Sequence, residues 1–189
     1  MSAQHTCHEL LVQLAGRLPD DVLWRLRDWL ASDGQASVAA VLPRELLRHR
    51  VGVTDEEREM LVASVGEWGS ARRMLDAVLP TSGVEQAVPA FRPEPEVDTA
   101  ALAVLAVART HPGCVEVRQG RRDAQRVVVV IGAERPWQLA GTLGRLLRAH
   151  GDRTPCVEVL PPHGGHPAYH RAAIIGSTAL WRSPALVPA

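Results

Sequence analysis

Lysine is absent from this sequence: all 21 of its basic side chains are arginine. Chemistry that needs a side-chain amine is excluded with it. That removes Schiff-base formation with pyridoxal phosphate or aldol substrates, the Walker A lysine, the strand lysine of protein kinases and Ser-x-x-Lys acyl transfer. The bias fits a G+C-rich coding sequence, in which arginine codons displace lysine codons, so the arginines are not by number alone a sign of bidentate recognition. Aromatic residues are also few. One tyrosine and one phenylalanine leave almost no platform on which single-stranded nucleic acid stacks. Net charge is missing too, since 21 acidic groups balance the 21 arginines, so no broad positive field draws the chain to nucleic acid or a membrane.

Long apolar runs are lacking as well. The longest strongly apolar stretch, 127–133, is far short of the roughly 20 residues of a membrane span. The opening MSAQHTCHELL has no basic-then-apolar layout of a signal peptide. The chain is therefore expected in the cytoplasm, with no membrane partner. Three cysteines, Cys7, Cys114 and Cys156, are odd in number and widely spaced, which fits reduced thiols better than a disulfide framework. No nucleotide fingerprint occurs, and Gly132-Ala133-Glu134 lacks a glycine-rich phosphate loop.

What is present describes an α+β architecture. Over 189 residues, 46% apolar supplies a core. The hydrophobic period changes near residue 90, beside a stretch, 80–98, holding four of the 14 prolines. This predicts an N-terminal bundle of short helices (1–80), a proline-rich linker (81–97) and a small mixed-sheet α/β module (98–189). In the first part Leu10, Leu11, Leu14 and Leu18 form one stripe. Pro19-Asp20-Asp21 opens a second helix with proline and acids in its first turn, and Gly34 ends it. Pro43 breaks a third apolar stretch, Thr54 and Glu57 form a capping box, and Gly69-Ser70 precedes a last short helix, 71–79.

In the second part a helix over 99–109 precedes CVEVR (114–118), which alternates as a half-buried strand does, and RVVVVIG (126–132), apolar on both faces like a central strand. QGRRDAQ between them reads as a polar hairpin loop. Pro136 opens a helix to about Ala149, PCVEVLP (155–161) is a third strand placed by a parallel crossover, and 169–179 closes as a helix. With its ALAVLA helix followed by HPGCVEV, its VVVVIG strand, WQLAGTLGRLL helix, CVEVLP strand and closing ALWR, the region 98–182 resembles the C-terminal domain of the SseB-like family, named for enhanced serine sensitivity. The family usually ends in an aromatic pair followed by arginines, where this chain has Trp181-Arg182. The resemblance implies a small α/β module and transfers no catalytic residue.

Four groups of residues are candidates for function. On the second helix, Val22, Leu23, Leu26, Trp29 and Leu30 share a face at about 100° per residue, and Trp24 points the opposite way. Trp24 either packs against a neighbouring helix or the second module, or anchors a protein partner together with Arg27 and Asp28. Trp68 and Trp137 stand at helix ends and read as local packing. The loop HGGHPAYH carries His163, His166 and His170, a set for zinc or another borderline metal, and equally a solvated turn. His5-Thr6-Cys7-His8 is a second small cluster before the first helix. Arg118, Arg121, Arg122 and Arg126 concentrate at the hairpin, where they would meet phosphate or an acidic partner, or simply solvent.

A nucleophilic dyad of Cys156 with His163 or His166 is opposed by the extended strand between them, roughly 15 Å over five residues. Glu134 and Asp123 have no partner carboxylate at a defined spacing. A non-enzymatic cytoplasmic accessory or regulatory protein, acting through protein–protein interaction, is the expected function. The alternatives are a metal-binding enzyme or sensor using the histidine loop, and a nucleic-acid-binding regulator using the arginine hairpin.

Overall fold

The computed structural model describes residues 2–65, 73–82 and 88–184. Trp68 and Gly69-Ser70 lie outside the described residues. Four helices come first: α1 (Ala3–Gln13), α2 (Asp20–Ala31), α3 (Gln35–Arg48) and α4 (Asp55–Val65). Then follow β1 (Arg92–Pro93), α5 (Thr99–Ala108), β2 (Glu116–Arg122), β3 (Gln125–Ile131), α6 (Pro136–Ala149), β4 (Cys156–Leu160), α7 (Ala168–Ile175) and β5 (Thr178–Arg182). The fold is α+β, with helices first and a five-stranded mixed sheet after them.

Helix starts follow local chemistry. Ser2 accepts the His5 N–H at 3.2 Å to cap α1, and the Asp98 carboxylate accepts the Ala101 N–H at 2.9 Å to cap α5. The Thr54 box forms reciprocally, with the Glu57 N–H on the threonine hydroxyl at 3.2 Å and the Thr54 N–H on the Glu57 carboxylate at 2.9 Å. Pro43, by contrast, does not break its helix, for α3 runs through it. An interior proline costs about 3 kcal/mol. Leu42 and Leu46 beside it are fully buried, at about 1.5–3 kcal/mol each, and that burial outweighs the lost bond.

In the sheet, β2 and β3 pair antiparallel from Glu116↔Ile131 to Arg122↔Gln125, and β3 pairs parallel with β4 from Val127↔Cys156 to Ile131↔Leu160. The stretch read as a polar loop is thus mostly strand. Only Asp123 and Ala124 turn the chain, with Asp123 at φ 52°. β1 and β5 both lie on the other side of β2. The closing helix is shorter than expected. It ends at Ile175, because Gly176 passes so close to Phe91 that a Cβ there would lie 2.5 Å from the Phe91 Cβ, and the chain then returns as β5.

Side chains of the two halves share cores. Tyr169 of α7 is packed among the leucines of α1, α2 and α3, and Val12 of α1 joins Val127, Val129 and Ile131 on one face of the sheet. The other face carries α5 and α6, through Val104, Ala108, Leu139, Leu143 and Leu147. Phe91, in the stretch expected to be a linker, packs against both the helical core and the sheet. Among the described residues no helix is long and apolar enough to cross a membrane.

Candidate functional site

Among the described residues strand β4 is flanked by a strand, β3, on one side only, which leaves the main-chain groups of its other edge to be satisfied by something else. The helical half supplies it. Arg27 Nη1 donates to the Val157 carbonyl at 2.9 Å, and His8 Nε2 donates to the Val159 carbonyl at 2.9 Å. The two side chains thus close alternate carbonyls of one strand edge, two residues apart as the strand period requires.

Between these contacts lies a sealed charge cluster. Arg27 grips Glu158 with both terminal nitrogens, at 2.9 and 2.7 Å, and also reaches the Leu11 carbonyl at 3.3 Å. His170 donates Nε2–H to the same carboxylate at 2.9 Å. Arg27, Glu158 and His170 are 4%, 1% and 0% exposed. Burial alone would raise the Glu158 carboxyl, but the Arg27 charge and the His170 hydrogen bond outweigh it and hold it at about 2. Cys156 Sγ lies 3.8 Å from Glu158 Oε1 and 3.7 Å from the Tyr169 hydroxyl. With its single proton on the carboxylate, the thiol accepts from the tyrosine. The Tyr169 hydroxyl in turn accepts from Arg122 at 2.7 Å, and Arg122 pairs with Asp20.

A thiol, an imidazole and a carboxylate therefore share one cluster, but in an order that does not activate the thiol. The carboxylate touches both of the others, and burial followed by the Glu158 charge pushes the Cys156 thiol up. Burial likewise pushes Cys7 up to about 12 and Cys114 up to about 11.

Trp24, Arg27 and Asp28, expected to meet a partner, do meet one, but it is the second half of the same chain. Trp24 is half-buried, with the Arg148 guanidinium of α6 centred 4.6 Å above its ring. Asp28 accepts from Arg145 of α6 at 2.7 Å, and Arg27 is consumed by β4. Small residues of α6 let α2 come close, and a Cβ on Gly141 would sit 2.3 Å from the Ala31 Cβ.

The hairpin arginines are also paired within the molecule. Arg118 bonds Glu116 and Ser177, Arg121 bonds Glu94, Arg122 bonds Asp20, and Arg126 bonds Asp98. What reads in sequence as a positive tip is four ion pairs. The signal was hidden because three of the acids come from elsewhere in the chain.

The histidines divide differently from their order in sequence. His170 is not in the loop but on α7, turned inward to Glu158. His163 is exposed, with no partner in common with His170. His5 and His8, expected ahead of the first helix, lie within α1. His5, His8 and His166 instead line one cleft of about 330 Å³, where α1 and α4 meet the chain leaving β3 and β4 and the start of α6. This is the carboxyl end of the two parallel strands, where open α/β sheets place their ligands.

Val12, Met60, Val159 and Leu160 give the cleft apolar walls, and Glu9, Glu56, Gln13 and the histidines give it polar ones. His8 is 4% exposed. Its Nε2 faces a carbonyl and therefore holds the proton, and its Nδ1, shut off from solvent, has no hydrogen-bond partner among the described residues. Burial lowers this imidazole to about 4, against the smaller opposing effect of the Val159 bond. Among the described residues no three His, Cys, Asp or Glu side chains converge as a metal site.

Comparison with known proteins adds no kinship. No protein-family model, curated protein or solved structure matches the chain. The cleft is what sequence reasoning missed. Its one advance signal was that two histidine clusters lay near the start of a helix and the end of a strand, and nothing local said that they meet.

Proposed function

We propose that the chain is a non-enzymatic accessory protein that works by binding another protein, and that the partner docks at the α1–β4 cleft. One observation carries this reading: the cleft is open, about 330 Å³ in volume, and combines apolar walls from Val12, Met60 and Leu160 with the exposed carboxylates of Glu9 and Glu56. The hairpin arginines Arg121 and Arg126 are already paired with acids, and the Glu158 cluster is closed to solvent.

The test places a photo-crosslinking amino acid at Gln13, on the cleft wall, and in a second protein at Asp123, at the hairpin turn. Amine-directed reagents are of no use in a chain whose only amine is the N-terminus. In the native lysate a discrete adduct from position 13 and none from position 123 is the expected result. Equal adducts from both positions, or none from position 13, would overturn the reading.

A further inference from the structure

The cleft is selective in charge. No arginine among the described residues lines it, whereas Glu9 and Glu56 both do. Glu9 shares its charge with His5 at 3.3 Å and remains 41% exposed. Glu56, exposed in the first turn of α4, has no ion-pair partner among the described residues. The most deeply buried polar side chain of the lining, His8, commits its proton to the Val159 carbonyl and, held at about 4 by burial, is an uncharged imidazole that adds no positive charge. His166, at the opposite side, is held below its usual range by burial and then by His170 and Arg171, so it too is an uncharged imidazole at neutral pH.

The start of α6 also opens onto the cleft, and a helix start ordinarily favours an anion. Here it offers at most the Trp137 N–H: Pro136 has none, and the Gln138 and Leu139 N–H groups both bond to the Arg135 carbonyl, at 3.0 and 3.2 Å. Acceptors and negative charge therefore dominate the polar side of the cleft, and apolar walls its remainder.

Resting on the docking reading above, we infer that the group this cleft receives is a cation on an apolar stem, a guanidinium or ammonium side chain of the protein partner. Its donors meet Glu9 and Glu56, and its methylenes lie along Val12, Met60 and Leu160. A cavity of about 330 Å³ holds one such side chain and its immediate neighbours. An acidic side chain would meet two carboxylates, with uncharged donors such as the Gln13 amide and the His166 imidazole to receive it but no arginine among the described residues.

The experiment titrates the full-length ¹⁵N-labelled protein with hexylguanidinium, hexylammonium, hexanoate and hexanol at constant ionic strength, following the amides of Val12, Gln13 and Ala133. Saturable shifts with the two cations in the millimolar range are expected, with hexanoate at least tenfold weaker. In the Glu9→Gln/Glu56→Gln double variant, with its spectrum otherwise preserved, affinity for the cations falls about tenfold and hexanol is unaffected. Hexanoate binding as well as the cations, or an unchanged double variant, overturns the charge assignment. Hexanol binding equal to the cations overturns it too, while leaving a docking cleft. No shift with any of the four overturns both readings. A micromolar Kd for a small cation alone would make a free amine the occupant and overturn the assignment to a partner side chain.

Discussion

Replacing Arg27 by leucine is the most direct test of what joins the two halves. The guanidinium makes four bonds, two to Glu158 at 2.9 and 2.7 Å and two to the Val157 and Leu11 carbonyls at 2.9 and 3.3 Å. Leucine fills part of the volume and restores none of them. A carboxylate that is 1% exposed is left with the His170 N–H and the weak Cys156 S–H as donors. Removing one partner of a buried pair costs about 3–5 kcal/mol, a large share of the roughly 5–15 kcal/mol that holds a domain folded.

The same magnitude follows from proton linkage. Glu158 sits at about 2 in the folded state against an ordinary 4.5, which corresponds to about 3 kcal/mol. Because the folded value is depressed, that stability is present above pH 4.5 and drains as the pH falls toward 2. Urea unfolding of Arg27→Leu at pH 7 is therefore expected to lose about 3 kcal/mol or more, with most of the acid dependence below pH 4.5 lost as well. A double-mutant cycle with Glu158→Leu should give a coupling of at least 2 kcal/mol. A loss under 1 kcal/mol for Arg27→Leu would refute the account of this cluster as the joint between the halves.

His8 gives a second acid dependence at higher pH. Its folded value is about 4 against an ordinary 6.5, so the unfolded chain takes up a proton in this interval and the folded chain refuses it. Stability should fall by about 3 kcal/mol between pH 6.5 and 4, and the difference between wild type and His8→Gln, measured by urea unfolding across that range, isolates it. An identical pH profile for the two proteins would show that His8 is not held neutral. Gly141→Val places its Cβ 2.3 Å from that of Ala31, so α2 and α6 must separate. A loss of about 1–3 kcal/mol in thermal or urea unfolding is expected, and an unchanged midpoint would contradict the close approach.

How much of this could be read from the chain follows the range of the interactions. Leu10, Leu11, Leu14 and Leu18 declared a buried stripe because a helix face repeats within one or two turns, and all four are buried. The Thr54 box and the Pro136 helix start were legible for the same reason. RVVVVIG was apolar from Val127 onward, and Val127–Ile131 has β2 on one side and β4 on the other. Where local signals conflicted with packing, packing won, as at Pro43. ALWR is too short to declare its state, and it becomes a strand only because β2 offers it an edge.

The candidate site was far less legible. Arg27 and Glu158 are 131 positions apart, and no periodicity links them. Trp24 was correctly placed off the face that α2 buries in its own bundle. A helical wheel drawn for one bundle, however, does not contain α6.

The position of the charge cluster argues for a role in fixing one arrangement of the halves. An unflanked strand edge accepts any donor at any register, and slipping by one residue turns the alternate set of carbonyls outward. Arg27 and His8 engage the carbonyls of Val157 and Val159, and Arg27 is simultaneously bound to the side chain of Glu158 between them. A slip of α1 and α2 along β4 would break the ion pair while both members stayed buried, so every alternative docking carries the cost of an uncompensated charge. Apolar packing alone sets no such penalty, since Val12 and the leucines of α2 would bury nearly as well one position along. The cleft lies at the end of this same joint and takes His8 as its deepest polar wall. Its shape is therefore set by the register that Arg27 enforces, and Arg27→Leu should weaken cation binding at the cleft although Arg27 does not line it.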